Sequence, residues 1–113
     1  MGPLRYLSAM RLTIPLTFVA LACGGEQKTF ESAGAFQTHM TEQGWARLGS
    51  FGDLNFPARI RSEQNAKDEI TFRTPGGVSH TYPNFTGYDL RVVHLEGRDG
   101  SNGSFVYRST EKR

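Results

Sequence analysis

The residues of this chain best equipped for chemistry stand together in the run Tyr88 to Glu96. There Arg91, His94 and Glu96 follow one another at short spacing on a stretch whose apolar residues, Leu90, Val92, Val93 and Leu95, read as a central β-strand. Side chains alternate along a strand, so His94 and Glu96 project from one face and Arg91 from the other. An imidazole beside a carboxylate can exchange protons with a substrate. With His80 on a neighbouring strand, the set would suit phosphodiester cleavage by a small secreted ribonuclease-like hydrolase, an arginine stabilising charge on the phosphate. Against this, Arg91 faces away, His80 falls beside Phe72, and no ribonuclease signature accompanies them. No catalytic residue is therefore assigned, and His94, Glu96 and His80 form the alternative set.

Other chemistries find less support. His39, His80 and His94 lack the close spacing of metal ligands, and the single cysteine lies near the N-terminus, so no metal set and no cofactor is expected. Asp99-Gly100-Ser101-Asn102-Gly103 lacks the alternating oxygens and closing glutamate of a calcium loop. Thr74-Pro75-Gly76-Gly77 is followed by neither a lysine nor a helix start, so it does not cradle phosphate. Tyr82, Phe85 and Tyr88 surround Pro83 and Gly87 in a turn-like stretch. They read either as exposed anchors for a protein or glycan partner or as rings capping the core. Asn84-Phe85-Thr86 and Asn102-Gly103-Ser104 have the form of glycosylation sites, but asparagine is equally at home in turns.

The N-terminus carries an address. Arg5 and Arg11 precede an apolar run, Leu12 to Ala22, that closes on small residues, the pattern of an export signal. The run is too short to cross a bilayer as a helix, which needs about 20 apolar residues. Ala20-Leu21-Ala22-Cys23 resembles the lipobox of bacterial lipoproteins, although here alanine holds the place three before the cysteine where leucine is usual. The resemblance implies a lipid-modified Cys23 that anchors the chain in a membrane. Gly24 in place of an aspartate after the cysteine implies the outer membrane. Ala20 and Ala22 also fit ordinary signal cleavage, which would leave a secreted or periplasmic protein. The expected division is an export signal over 1–22, a tether over 23–28 and one small domain over 29–113.

The domain that must position these residues is electrically balanced. Of thirteen lysines and arginines, Arg5 and Arg11 belong to the signal, and the eleven that remain face eleven aspartates and glutamates. A neutral body lacks the field that gathers a protein onto nucleic acid, so no nucleic-acid partner is expected. With Cys23 alone there is no intramolecular disulfide, and packing must hold the fold, aided by seven Phe, three Tyr and Trp45 beyond the signal.

Phe30, Ala33, Phe36 and Met40 recur at helical spacing and predict a helix from Phe30 to about Gln43, with Thr29 as N-cap and Gly44 as stop. Strands are expected at Phe56 to Arg61, Glu69 to Arg73, Val78 to Tyr82, Tyr88 to Glu96 and Phe105 to Arg108, with a long flexible loop from Gly97 to Gly103. Apolar residues share a face across the second and third strands only if Phe72 pairs with His80 and Ile70 with Tyr82, which puts Gly77 in the left-handed conformation. The expected fold is α+β, one N-terminal helix packed on a four- or five-stranded antiparallel meander. The expected role is a non-enzymatic accessory or binding domain at a bacterial cell envelope, by itself or as a subunit of a membrane-associated complex.

Overall fold

A computed structural model describes residues 28–113. Cys23, the whole of the expected export signal (1–22) and the expected tether (23–28) apart from residue 28 lie outside the described residues. The elements in chain order are β1 (Thr29–Phe30), α1 (Ala33–Glu42), β2 (Trp45–Gly52), β3 (Ala58–Arg73), β4 (Ser79–Gly97) and β5 (Asn102–Ser109). All strands join one antiparallel sheet in the order β1, β3, β4, β5, β2.

The expected helix packed on a meander is not what forms. Among the described residues strand occupies 62% and helix 12%, and the five strands curl into a half-barrel. Three misreadings of the sequence account for the difference. Trp45–Gly52, to which no strand is assigned above, crosses the molecule to pair with the last strand, from Trp45 opposite Ser109 to Gly52 opposite Gly103. The four short central strands are two long ones, of 16 and 19 residues, because the ladder runs on through polar stretches such as Ser62-Glu63-Gln64-Asn65. Those stretches lack alternation because neither of their faces is dry. The flexible loop is instead a closed turn, in which the Gly97 N–H donates to the Ser101 carbonyl at 2.7 Å and the Gly100 N–H to the Gly97 carbonyl at 3.0 Å.

The helix itself is one turn shorter than its spacing predicts. Ser32, in extended conformation, caps it by accepting from the Ala35 N–H at 3.1 Å, while Thr29 and Phe30 pair with Arg59 and Ala58 as a short edge strand. Phe30 nonetheless joins the helix's apolar face, its ring 5.1 Å from that of Phe36. Gly44 ends the helix with φ of 89°, a conformation that glycine enters at least cost. The hairpin register is as expected: Phe72 pairs with His80, Ile70 with Tyr82, and Gly77 has φ of 83°.

The sheet is apolar on both faces. On one, Val93, Leu95, Tyr107 and Ala58 bury themselves under Phe30, Phe36 and Met40. Phe36 meets Phe105 and Tyr107 edge-on at 5.2 and 6.2 Å. The Tyr107 hydroxyl donates to Gln37 Oε1 at 3.0 Å, and burial pushes its phenol up to about 12. On the other face, Leu90, Val92 and Val106 have no helix to cover them. They are covered by the far half of the β3–β4 hairpin, whose Ile70 and Phe72 join the same cluster, flanked by Tyr82 and Phe85. β5 pairs with β4 only from Leu90 onward, so the first half of β4 and the second half of β3 form a two-stranded arm free to fold back.

The arm bends where the ladder is broken, around Asp68, with φ of 71° at Asp68, 67° at Asn84 and 92° at Gly87. Asp68 Oδ1 accepts from the Gly87 N–H at 2.9 Å and from Arg113 Nη2 at 2.8 Å, which ties both bulged strands and the C-terminal residue to one carboxylate. The hydrogen bond from Gly87 and the guanidinium of Arg113 hold that carboxyl below its usual range. Glycines on β2 receive the arm. A Cβ at residue 49 would lie 2.6 Å from the Tyr82 hydroxyl, and one at residue 52 would lie 3.0 Å from the Pro75 ring.

If both faces are buried in this way, alanine at either centre is severely destabilising. Phe36→Ala and Phe72→Ala are each expected to cost about 3–5 kcal/mol in urea unfolding. A cost at Phe72 below about 1 kcal/mol, as at surface sites, would mean that the arm does not dock.

Candidate functional site

The curl leaves an open groove of about 600 Å³ at the end of the concave face where β3, β4, β5 and the hairpin turn meet. His94 and Ser104 stand opposite each other on β4 and β5, and Ser62 stands opposite His94 on β3. A bulge between Ile60 and Ser62 makes this possible. It changes the parity of β3, so that Ile60 packs toward the helix while Ser62 and Gln64 face the groove. Arg61 and, from the end of the folded arm, Thr71, Phe72 and Arg73 complete the walls.

His94 is held at both ring nitrogens. Nδ1 lies 2.7 Å from the Ser104 hydroxyl and Nε2 lies 2.9 Å from Gln64 Oε1. Since an amide oxygen can only accept, this geometry assigns the proton to Nε2, with the serine hydroxyl donating to Nδ1. Burial lowers the affinity of this imidazole for a second proton, and the positive charge of Arg61 lowers it further. The ring is therefore neutral at pH 7.

The residues expected to act with His94 are elsewhere. Glu96 pairs with Arg59 at 2.9 Å and lines a separate groove of about 330 Å³ together with Arg98. His80 lies against the rings of Phe51 and Phe72, with centroids 4.5 and 5.8 Å apart. Arg91 is on the helix side, stacked 4.5 Å from the centre of Trp45 and donating to Asn65 Oδ1 at 2.7 Å. The acid–base pair suggested by strand alternation is thus divided between two sites, because the ion pair with Arg59 holds Glu96 over the strand that neighbours it.

Tyr82, Phe85 and Tyr88 all lie on the first half of β4 and are half-buried. Tyr82 and Phe85 pack against the second core, and Tyr88 lies beneath the Arg108 guanidinium at 4.3 Å. Asn84 is exposed at the bend, and Asn102 is exposed at the start of β5 with its amide donating to the Gly100 carbonyl at 3.2 Å. Nearby, Asp99 accepts from the Ser101 hydroxyl and N–H and from the Asn55 side chain, and these bonds bring its carboxyl down to about 2.

Nothing in the sequence groups Arg61, Gln64, Arg73 and Ser104 into one site. None forms a motif with His94, and only the pairing register, together with the bulge at Arg61, brings them together. Among the described residues no three His, Cys, Asp or Glu side chains converge to hold a metal ion, and no helix is long and apolar enough to cross a membrane. The chain matches no family model, no curated protein and no solved structure.

The depressed affinity of His94 for protons carries a sign. Above its ordinary value of 6.5 the ring is neutral in both folded and unfolded chains, and it does not make stability depend on pH. As pH falls through that value the unfolded chain takes up the proton first, and stability drops until the folded ring also titrates. His94→Asn should therefore flatten the loss of unfolding free energy between about pH 7 and about pH 5, followed by denaturant titration at each pH. An unchanged slope would contradict the buried, neutral assignment.

Proposed function

We propose that the chain is a non-enzymatic binding domain of a bacterial cell envelope, lipid-tethered through Cys23, with the groove around His94 as its binding surface. The observation that carries this reading is the composition of the groove. It presents hydroxyl, amide and guanidinium groups without a carboxylate, and its histidine is engaged at both nitrogens. Such a surface offers hydrogen bonds and charge to a partner, and no acidic side chain lines it. Glu96, the partner that acid–base chemistry would need, is committed to Arg59 beside another groove. Tyr82, Phe85 and Tyr88 sit on the arm whose far end forms one wall, so a large partner would meet them after filling the groove. A protein or glycan of the envelope is the partner class in keeping with a neutral domain.

The tether supplies local concentration rather than contacts. Each methylene of an acyl chain buried in a bilayer contributes about 0.8 kcal/mol, and more than one chain makes attachment lasting.

Expression of the full chain in a bacterial host with an alkyne-labelled palmitate tests both halves of the proposal. Label should enter the wild-type chain and be absent from Cys23→Ala, and the purified protein should leave RNA intact. An unlabelled wild-type chain would remove the tether. RNA cleavage abolished by His94→Ala would replace the binding role with the hydrolase.

A further inference from the structure

Arg61 and Arg73 both line the groove around His94, and neither an aspartate nor a glutamate lines it with them. Three arginines elsewhere pair with carboxylates, Arg59 with Glu96, Arg91 with Glu63, and Arg113 with Asp68 and Asp89, whereas Arg47, Arg98 and Arg108, like Arg61 and Arg73, do not among the described residues. Arg61 is exposed and makes no ion pair or hydrogen bond among the described residues. Arg73 donates through Nη2 to the Gly77 carbonyl at 2.9 Å, which leaves most of its five donors available. With the ring of His94 neutral, the groove holds two positive charges in a domain that is balanced overall.

Between these charges the walls carry short polar groups, Ser62, Thr71, Thr74 and Asn102, beside the apolar surfaces of Phe72 and Pro75. A planar guanidinium matches the two oxygens of a carboxylate or phosphate, and hydroxyl and amide groups match the hydroxyls of a sugar ring. An extended peptide would be held by an open ladder edge, but the floor here is formed by side chains of β4 and β5, whose ladders are already paired at this point. The volume of about 600 Å³ lies in the range of small-ligand sites, and because the groove is open a sugar could enter it as one unit of a chain.

Resting on the binding role proposed above, we infer that the groove receives an acidic sugar, a saccharide unit carrying a carboxylate or phosphate, with Arg61 and Arg73 gripping the anion and Ser62 and Asn102 reading the ring hydroxyls. Arg61 supplies a charge with no carboxylate beside it in the groove, and Arg73 approaches from the folded arm. The site is therefore complete only when the arm is docked.

Isothermal titration of the full-length chain in detergent tests this with four probes: a galacturonate trisaccharide, glucose 6-phosphate, an uncharged galactose trisaccharide and a single-stranded oligonucleotide. Binding is expected for one or both acidic sugars, the stronger naming the anion, and not for the neutral trisaccharide. Arg61→Gln should weaken it about tenfold or more, the loss of a charge-assisted hydrogen bond, with the melting temperature unchanged. Equal binding of the neutral trisaccharide, tighter binding of the oligonucleotide, an unaltered affinity in Arg61→Gln, or no binding of either acidic sugar would each overturn the inference. Palmitate labelling at Cys23 reads the tether independently, so failure of the sugars removes the ligand class without removing the anchored domain.

Discussion

A sheet with apolar residues on both faces needs two covers, and the described part of this chain has one helix of ten residues to offer. The helix takes the face of Val93, Leu95 and Tyr107. For the face of Leu90, Val92 and Val106 the cover comes from the outer half of the β3–β4 hairpin, which turns back over its own base, with Leu48 and Phe51 of β2 closing the side. Burying such surface is worth about 25 cal/mol per Å², which makes leaving three fully buried aliphatic side chains in water costlier than bending a strand pair. The half-barrel is the result.

Bending so long a hairpin means interrupting its ladder, and the chain does so with residues suited to the task. Asp68, Asn84 and Gly87 adopt positive φ, which asparagine, aspartate and glycine tolerate better than other residues. The backbone donor freed at Gly87 is given back a partner by Asp68. Gly49 and Gly52 then leave β2 without side chains where Tyr82 and Pro75 arrive. Corner, arm and receiving strand thus make one device, and the groove around His94 is the space left where that device closes imperfectly. Its polarity follows from the same geometry, since residues at the mouth of a curl touch water.

Local chemistry was readable from the sequence, and long-range geometry was not. Gly77 and the pairing of Phe72 with His80 could be deduced because a turn of fixed length admits only one register that keeps Ile70, Phe72 and Tyr82 together. Gly44 marked the end of the helix for an equally local reason. Trp45–Gly52 went unrecognised as a strand because its partner lies at the other end of the chain. Alternation along one strand groups His94 with Glu96 but says nothing about the cross-strand ion pair that draws Glu96 toward Arg59. The groove was invisible because Arg61 reaches it through a bulge, and a bulge shifts parity without leaving a clear mark in the sequence.

The docking of the arm can be observed directly through nuclear Overhauser effects between aromatic protons. Phe51 lies on β2 and Phe72 and His80 on the arm, with no ladder joining them, yet their ring centroids are 5.7 and 4.5 Å apart. Cross-peaks from the Phe51 ring to both Phe72 and His80 are the predicted result. A spectrum in which the Phe51 ring sees only its own strand and β5, with the hairpin extended into solvent, would contradict the account.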